Sequence, residues 1–260
     1  MYQDTLRPVW AEIDLGCIRH NITAIKRRVG NTPIIGVVKA DGYGHGATEV
    51  SRVLLANGVS TLAVATLGEA IDLRNDGISV PIIMLGLTPW HYQKTLIEYD
   101  ITPVVASYSD TRALSAAAAE AGKIMEVLVA VETGMGRIGF MPNKESINEI
   151  VGISSLPNIQ IKGIFSHFAV ADEKDKSFSH NQIKNFDRFY KDLEAAGVPI
   201  NFRTHANSAA LMEIPEAWFD AVRPGIILYG CYPSDQVDKS IIELKPAMSL
   251  KANIVFLKRV

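Results

Sequence analysis

The sequence predicts a (β/α)8 barrel, and three observations carry that reading. Eight short apolar runs alternate with amphipathic stretches across about 250 residues, the length such a barrel needs. Glycine follows the last apolar position of several helix candidates, at Gly58, Gly77, Gly122 and Gly197, and marks where each helix stops. The runner-up, an open doubly wound sheet, wants Gly-x-Gly-x-x-Gly after its first strand. Gly42-Tyr43-Gly44-His45-Gly46 has a different spacing.

The elements follow in order. Asp14 offers a side-chain acceptor ahead of Leu15–Val29, a helix that precedes the first barrel strand. Ile34–Lys39 is apolar until its last residue and reads as a strand buried on both faces. Helix Ala47–Asn57, strand Thr61–Thr66, helix Leu67–Asp76 and strand Pro81–Gly86 come next. Helix Trp90–Tyr99 and strand Thr102–Ser107 follow, and Ser109-Asp110 starts the alanine-rich helix Asp110–Ala121. Strand Met125–Glu132, helix Asn143–Ser154, strand Ile161–Phe168 and helix His180–Ala196 continue the alternation. Strand Phe202–Asn207, the short helix Ala209–Glu213 and strand Ala221–Arg223 complete it.

The pattern changes after residue 240. Helical periodicity stops from Ile241 to Val260, and Ser249–Leu257 reads as extended structure. Ile254-Val255-Phe256-Leu257 then leaves an apolar strand with no partner behind it. The expectation is a barrel over residues 1–240 and, over residues 241–260, the start of a second β domain. On that expectation the chain is truncated, or its last strand pairs outside this sequence.

Composition narrows the function classes. A chain of 260 residues, 48% hydrophobic and 21% charged, is ordinary globular material. A net charge of −2 gives no electrostatic case for nucleic acid or an anionic membrane. Cys17 and Cys231 form no metal or redox spacing and suit a reducing compartment. Met1 to Trp10 lacks the basic-then-apolar order of a signal peptide, and no run approaches the roughly 18 apolar residues of a membrane span. These features point to a cytoplasmic protein.

Lys39 is the most informative residue. It closes the run Ile34-Ile35-Gly36-Val37-Val38 and stands immediately before a turn rich in glycine. Lysine is costly to bury, so the placement asks for a reason. A desolvated amine of lowered pKa forms Schiff bases with aldehydes. The plain alternative is the first solvated residue of a loop. In a (β/α)8 barrel the site lies at the C-terminal ends of the strands, and unusual polar residues recur at those ends. Glu132-Thr133-Gly134-Met135-Gly136-Arg137 leaves the fifth strand, and Ser166-His167 ends the sixth. His205-Ala206-Asn207-Ser208 ends the seventh and Arg223-Pro224-Gly225-Ile226 the eighth.

Each of these has two readings. Arg137 is a surface cation on a glycine turn or a holder of an anionic oxygen. His167 is a satisfied core histidine or a ring stacked on a flat ligand. Asn207-Ser208 caps the next helix, or gives N–H groups and a hydroxyl to a phosphate. Gly225-Ile226 falls in the barrel's usual phosphate region. Tyr43 packs on the turn or gives its hydroxyl to that phosphate. His45, His91 and His180 have no metal spacing and are read as surface residues. Taken together, a lysine for an aldehyde, a phosphate cup, a stacking ring and a basic residue for a pyridine nitrogen describe pyridoxal phosphate chemistry.

At this point the chain strongly resembles bacterial alanine racemases, from Val9-Trp10-Ala11-Glu12-Ile13-Asp14 through Leu244-Lys245-Pro246-Ala247-Met248-Ser249. Three motifs carry the resemblance: Val-Lys-Ala-Asp-Gly-Tyr-Gly-His-Gly, Glu-Thr-Gly-Met-Gly-Arg-Ile-Gly-Phe and Arg-Pro-Gly-Ile-Ile-Leu-Tyr-Gly. The resemblance implies that Lys39 bonds to pyridoxal 5'-phosphate and is the base on the D-alanine face. It implies that Tyr43, Ser208, Gly225 and Ile226 hold the phosphate, with Asn207 beside them, and that His167 lines the pyridine ring. It further implies that Arg223 faces the pyridine nitrogen, and that Arg137 binds the cofactor's phenolic oxygen near the substrate carboxylate. The parent enzyme would be a homodimer supplying D-alanine for peptidoglycan.

The chain departs from the family pattern in three ways. Family enzymes use a second base, a tyrosine that the partner subunit supplies from a C-terminal β domain, and no tyrosine follows Tyr232 here. Many members carry a modified lysine seven residues before the arginine of Gly-Met-Gly-Arg. Ala130 holds that place, so Arg137 must be oriented otherwise. His205 stands two residues before Asn207, where the family's histidine often stands three before, so the resemblance does not assign it to Arg223. The expected activity is cofactor binding through Lys39 with little or no inversion by this chain alone. A single-barrel pyridoxal phosphate carrier fits the length, and a serine or broad-specificity racemase shares the superfamily. The motifs themselves are the racemase forms.

Overall fold

The computed structural model describes residues 7–89 and 91–259. Trp90, the expected first residue of one helix, lies outside the described residues, as do Val260 and residues 1–6 of the segment read for a leader. After β1 (Val9–Ile13) and α1 (Leu15–Val29), a parallel sheet runs in chain order. Its strands are β2 (Ile35–Val37), β3 (Thr61–Val64), β4 (Ile82–Leu87), β5 (Thr102–Val105), β6 (Met125–Ala130), β7 (Ile159–Phe165) and β8 (Arg203–Thr204). Between them lie α2 (Lys39–Gly44), α3 (Ala47–Ala56), α4 (Leu67–Asn75), α5 (Gln93–Glu98), α6 (Tyr108–Glu120), α7 (Lys144–Ser154) and α8 (Ser177–Ala195). The six-residue α9 (Ser208–Glu213) follows β8.

The eighth run, Ala221–Arg223, closes the barrel. It bridges β8 at Thr204 and the first strand at Ile34, both in parallel. The Ile35 N–H donates to the Val222 carbonyl at 2.9 Å and the Val37 N–H to the Pro224 carbonyl at 3.0 Å. Alternation along each strand then sorts the apolar side chains. Ile35, Val37, Ala63, Ile83, Val104, Leu128, Ala130, Phe165 and Ala221 fill the barrel interior. Their neighbours Leu62, Val64, Ile82, Met84, Val105, Val127, Val129 and Ile164 pack outward under the helices. Strands buried on both faces explain why the sequence reads as continuous apolar runs.

Caps set the helix starts. Asp14 accepts the Gly16 N–H at 2.7 Å and opens α1, as expected. Ser107, and not the expected Ser109-Asp110 pair, caps the alanine-rich helix, because its hydroxyl takes the Asp110 N–H at 3.2 Å. α6 therefore begins at Tyr108, and Asp110 sits inside its first turn.

The tail differs from expectation. Ile242, Leu244 and Ala247 are buried in the main core, and the buried Asn21 side chain holds Lys245 through its N–H and its carbonyl. The strand is Met248–Ala252, shorter than the expected Ser249–Leu257, and its partner lies within this chain. β9 (Met248–Ala252) pairs antiparallel with β1, from Val9 opposite Ala252 to Ile13 opposite Met248. No strand had been expected at Val9–Ile13, because pairing across the whole chain leaves no local signature. Ile254 to Leu257 are exposed.

Two glycines test the packing. A Cβ at Gly163 in β7 would stand 1.9 Å from the Phe202 carbonyl oxygen, a backbone atom that cannot swing aside. Gly163→Ala should cost about 3 kcal/mol or more. At Gly122 (φ 63°) a Cβ meets nothing within 4 Å, so Gly122→Ala should cost only about 1 kcal/mol, from backbone strain. Urea denaturation of the two variants measures the difference.

Candidate active site

The C-terminal ends of the strands surround a cavity of about 510 Å³. Lys39, Tyr43, Arg137, His167, Asn207, Ser208, Arg223, Gly225 and Ile226 all line it. The structure thus brings together, from five separate strand ends, the nine residues that the resemblance assigns to the cofactor, while Glu132, Ser166 and His205 of the same rim segments stand behind the wall. Asp172 and Pro233 also line it and had not been foreseen. Among the described residues no group of His, Cys, Asp or Glu is arranged for a metal.

Lys39 is half-buried and begins an unusual turn. Ala40, Asp41, Gly42 and Tyr43 all have φ between 52° and 59°, so α2 winds left-handed. That sense costs residues bearing a Cβ roughly 1–2 kcal/mol each. It folds Tyr43 back beneath the lysine, with Nζ 5.7 Å from the ring centre. Tyr229 packs against Tyr43, ring centres 5.0 Å apart, and donates its hydroxyl to the Val37 carbonyl at 3.0 Å. Burial pushes the Tyr43 hydroxyl above its ordinary pKa, so it stays a neutral donor.

Arg223 is 3% exposed and held by neutral acceptors. Its Nη1 donates to the Thr204 hydroxyl at 2.8 Å. Its Nη2 donates to the carbonyls of Ser166 at 2.7 Å and His205 at 3.2 Å. Burial, and then the Arg137 charge, pull its pKa down to about 9, so it remains a cation at neutral pH. His167 lies beside it, Nδ1 3.3 Å from Nη2. A guanidinium has no acceptor, so Nδ1 accepts and the proton of neutral His167 sits on Nε2. Burial, then Arg223, Arg137 and Lys39, lower the His167 pKa to about 3.

His205 supports Arg223 through its carbonyl, not its ring. The ring stacks on Phe168 at 3.9 Å and 2° and lies 5.0 Å from Phe186. Both ring nitrogens are buried without a hydrogen-bond partner, and burial drives the pKa well below its ordinary value. Thr204, three residues before Asn207, supplies the side-chain contact to Arg223.

Arg137 is placed by its backbone. Glu132 accepts the Gly134 N–H at 2.6 Å and the Arg137 N–H at 3.0 Å. Partial desolvation opposes the Glu132 charge, yet the N–H groups of Gly136, Gly134, Arg137 and Met135 hold its pKa below the usual carboxylate value. Ala130 points into the barrel interior, so no side chain from that position reaches the arginine. Behind the loop, Gln182 on α8 is a buried hub. It donates to the Thr133 hydroxyl at 3.1 Å and the His167 carbonyl at 3.0 Å, and accepts the Ala169 N–H at 3.0 Å. Thr133 in turn bonds the Ser166 hydroxyl at 2.8 Å. A lone glutamine on an amphipathic helix carries no sequence signal for such a role.

The far wall is backbone. Ser208 accepts the Gly225 N–H at 2.9 Å, while Asn207 accepts the Ala210 N–H at 3.0 Å and so caps α9. A Cβ at Gly225 would stand 2.7 Å from the Tyr43 hydroxyl oxygen. Only glycine leaves that cradle open to a ligand. A cup of main chain, serine and tyrosine hydroxyls faces Lys39, Arg137 and Arg223, with Asp172 the one acidic residue on the wall. This donor set fits pyridoxal phosphate: an amine for the aldehyde, cations for its negative charge and a neutral cradle for the phosphate.

Fold and rim together define a class, (β/α)8 barrels with a polar site at the C-terminal ends of their strands. Residues 13–233 match the family described as alanine racemase, N-terminal domain, and the chain belongs to that family. It is 52% identical over 252 residues to the alanine racemase of Clostridium kluyveri, covering 97% of this chain and 64% of that protein. It is 50% identical over 254 residues to alanine racemase 1 of Clostridium acetobutylicum, covering 98% and 66%. The chain thus spans about two thirds of the length of these relatives. A solved alanine racemase from Clostridium difficile 630, in complex with cycloserine, superposes with a TM-score of 0.96 at 42% identity, over 98% of this chain and 71% of that one. The Bacillus anthracis alanine racemase with bound L-Ala-P gives 0.88 at 32%, over 95% and 64%.

The buried His205 and the partly buried His167 make stability pH-dependent. Both resist protonation when folded, whereas an unfolded histidine titrates near its ordinary value of 6.5. The unfolded chain therefore binds more protons below about pH 6.5. Stability is full above that pH and falls on acidification, down toward pH 3 for His167, by about 1.4 kcal/mol per unit for each histidine. Urea unfolding between pH 7 and 5 measures the slope. His205→Phe, which keeps the stack on Phe168, should remove one histidine's share of it.

Proposed function

We propose that this chain is the cofactor-binding barrel of an alanine racemase, that pyridoxal phosphate is its cofactor, and that Lys39 is the base on one face of the substrate. The observation that carries this is the convergence of Lys39, Tyr43, Arg137, His167 and Arg223 on one cavity with the Gly225 cradle opposite. The cofactor, when bound, draws electrons from the substrate's Cα–H bond, so that an amine becomes a sufficient base. Tyr43, Ser208, Gly225 and Ile226 would hold its phosphate, with Asn207 fixing the start of α9 beside them. His167 would line the ring. Arg223, charged at pH 7 and unable to accept, would face the pyridine nitrogen as a donor and leave it unprotonated. That restrains electron withdrawal and favours simple proton exchange over transamination. Arg137 would meet the phenolic oxygen and the substrate carboxylate.

For the parent protein we infer a cytoplasmic homodimer whose partner subunit supplies the second base and whose product serves peptidoglycan synthesis. We also propose residues 1–240 as the barrel unit and 241–260 as the lead-in to a second β unit. β9 lies with β1 in a sheet separate from the barrel, which supports a β unit at this end of the chain, and Ile242, Leu244 and Ala247 lead into it from the main core.

NMR of D-alanine with the chain and pyridoxal phosphate in D2O tests this. The expected result is loss of the α-proton signal without inversion in a chiral assay, abolished in Lys39→Ala. No exchange, or exchange that survives Lys39→Ala, would remove Lys39 from the role.

A further inference from the structure

We propose that Glu69 is a positioning residue for Lys39: its carboxylate clamps the left-handed turn that begins at the lysine and so fixes where the amine enters the cavity. The inference rests on the reading of Lys39 as the cofactor lysine.

The turn cannot hold itself. Ala40, Asp41 and Tyr43 carry Cβ atoms at φ 52°, 52° and 53°, a region that L-residues avoid. It persists because outside groups tie it down. At its exit, Asp41 takes the Ala47 N–H on its side chain at 2.8 Å and the Gly46 N–H on its carbonyl at 3.0 Å. At its entrance, the Ala40 N–H, in the peptide bond that follows Lys39, donates to Glu69 Oε1 at 2.8 Å.

Glu69 is itself fixed. Its Oε2 accepts the Ala65 N–H at 2.7 Å and the Thr66 N–H at 3.2 Å, and Thr66 takes the Glu69 N–H in return, which completes the capping box of α4. A capping box needs one carboxylate oxygen. The second reaches from the β3–α4 corner across to the end of β2. One carboxylate therefore transfers the position of a rigid helix start onto the backbone of the lysine. Both oxygens must accept, so glutamine would turn an amide donor toward an N–H. Glu69 also lies in Thr66-x-x-Glu69, a pattern whose capping role is legible while its reach to Ala40 is not.

The test uses the 260-residue chain loaded with pyridoxal phosphate. Borohydride reduction and peptide mass spectrometry read cofactor on Lys39, titration reads affinity, and hydrogen exchange of the Ala40 amide reads the turn without cofactor. Glu69→Ala should lose about tenfold in affinity and accelerate Ala40 exchange. Thr66→Ala, which removes the cap but spares the bond to Ala40, should lower thermal stability with little effect on either. Adding Ala40→Gly to Glu69→Ala should recover about threefold in affinity, because glycine accepts the left-handed turn without a clamp. Wild-type behaviour of a folded Glu69→Ala, or equal losses in Thr66→Ala, would overturn the proposal. If wild type fails to label Lys39, the cofactor reading fails instead. Ala40 exchange then still decides the clamp: it is overturned if the amide exchanges equally in wild type and Glu69→Ala.

Discussion

Closure of the parallel sheet at Ala221–Arg223 is the constraint on which the rest of this structure depends, because it places the start of the chain's barrel beside its end. The Ile35 and Val37 N–H groups donate to Val222 and Pro224. Those bonds complete the backbone pairing of β2, and they also set the register of the site. Lys39 lies two residues past Val37 and Gly225 one past Pro224, so the Tyr43 hydroxyl reaches Gly225. Pro224 has no N–H to extend the ladder, and the chain turns there into the Ile226–Tyr229 turn of 3-10 helix. Tyr229 then returns to the Val37 carbonyl. A slip of one residue at this seam would send the interior-facing side chains outward and separate Lys39 from the cradle.

The second constraint is charge. Lys39, Arg137 and Arg223 share one wall system with a single acidic residue, and Arg223 is buried among neutral acceptors. Burying an unpaired cation is costly, and carbonyl oxygens, a threonine hydroxyl and the Phe165 ring at 5.4 Å offset that cost only in part. His167 stays neutral because burial disfavours its charged form, and the Arg223 charge beside it adds to that. An anionic ligand would relieve this repulsion and so couple its binding to folding.

Much of this was legible in the sequence. The barrel follows from apolar runs at regular spacing, and the rim residues stand out because each interrupts an apolar run or follows a glycine. What was not legible involves groups that meet only in three dimensions. β1 and β9 pair across nearly the whole chain, so neither strand is marked by its neighbours. The left-handed sense of α2 is held by contacts from outside the turn, with Glu69, Gly46, Ala47 and Tyr229, on residues such as Ala40 that favour the opposite hand. The Ser107 cap hides because Ser109 and Asp110 offer equally good capping chemistry next to it. Gln182, Thr204 and Glu69 are ordinary surface-type residues whose importance arises from their partners.

Arg137 shows how a loop can substitute for a side chain. With Ala130 turned into the barrel, the arginine is not steered by an acid or a modified lysine at that position. The Glu132 carboxylate instead gathers the N–H groups of the loop from Gly134 to Arg137. Gly134 and Gly136 adopt positive φ to present those groups, and a Cβ at Gly134 would meet Phe178 at 2.9 Å. A carboxylate spent on backbone donors fixes the direction of the arginine without pairing with its guanidinium. The charge of Arg137 therefore stays at the cavity wall, where an ion pair within the protein would have partly cancelled it.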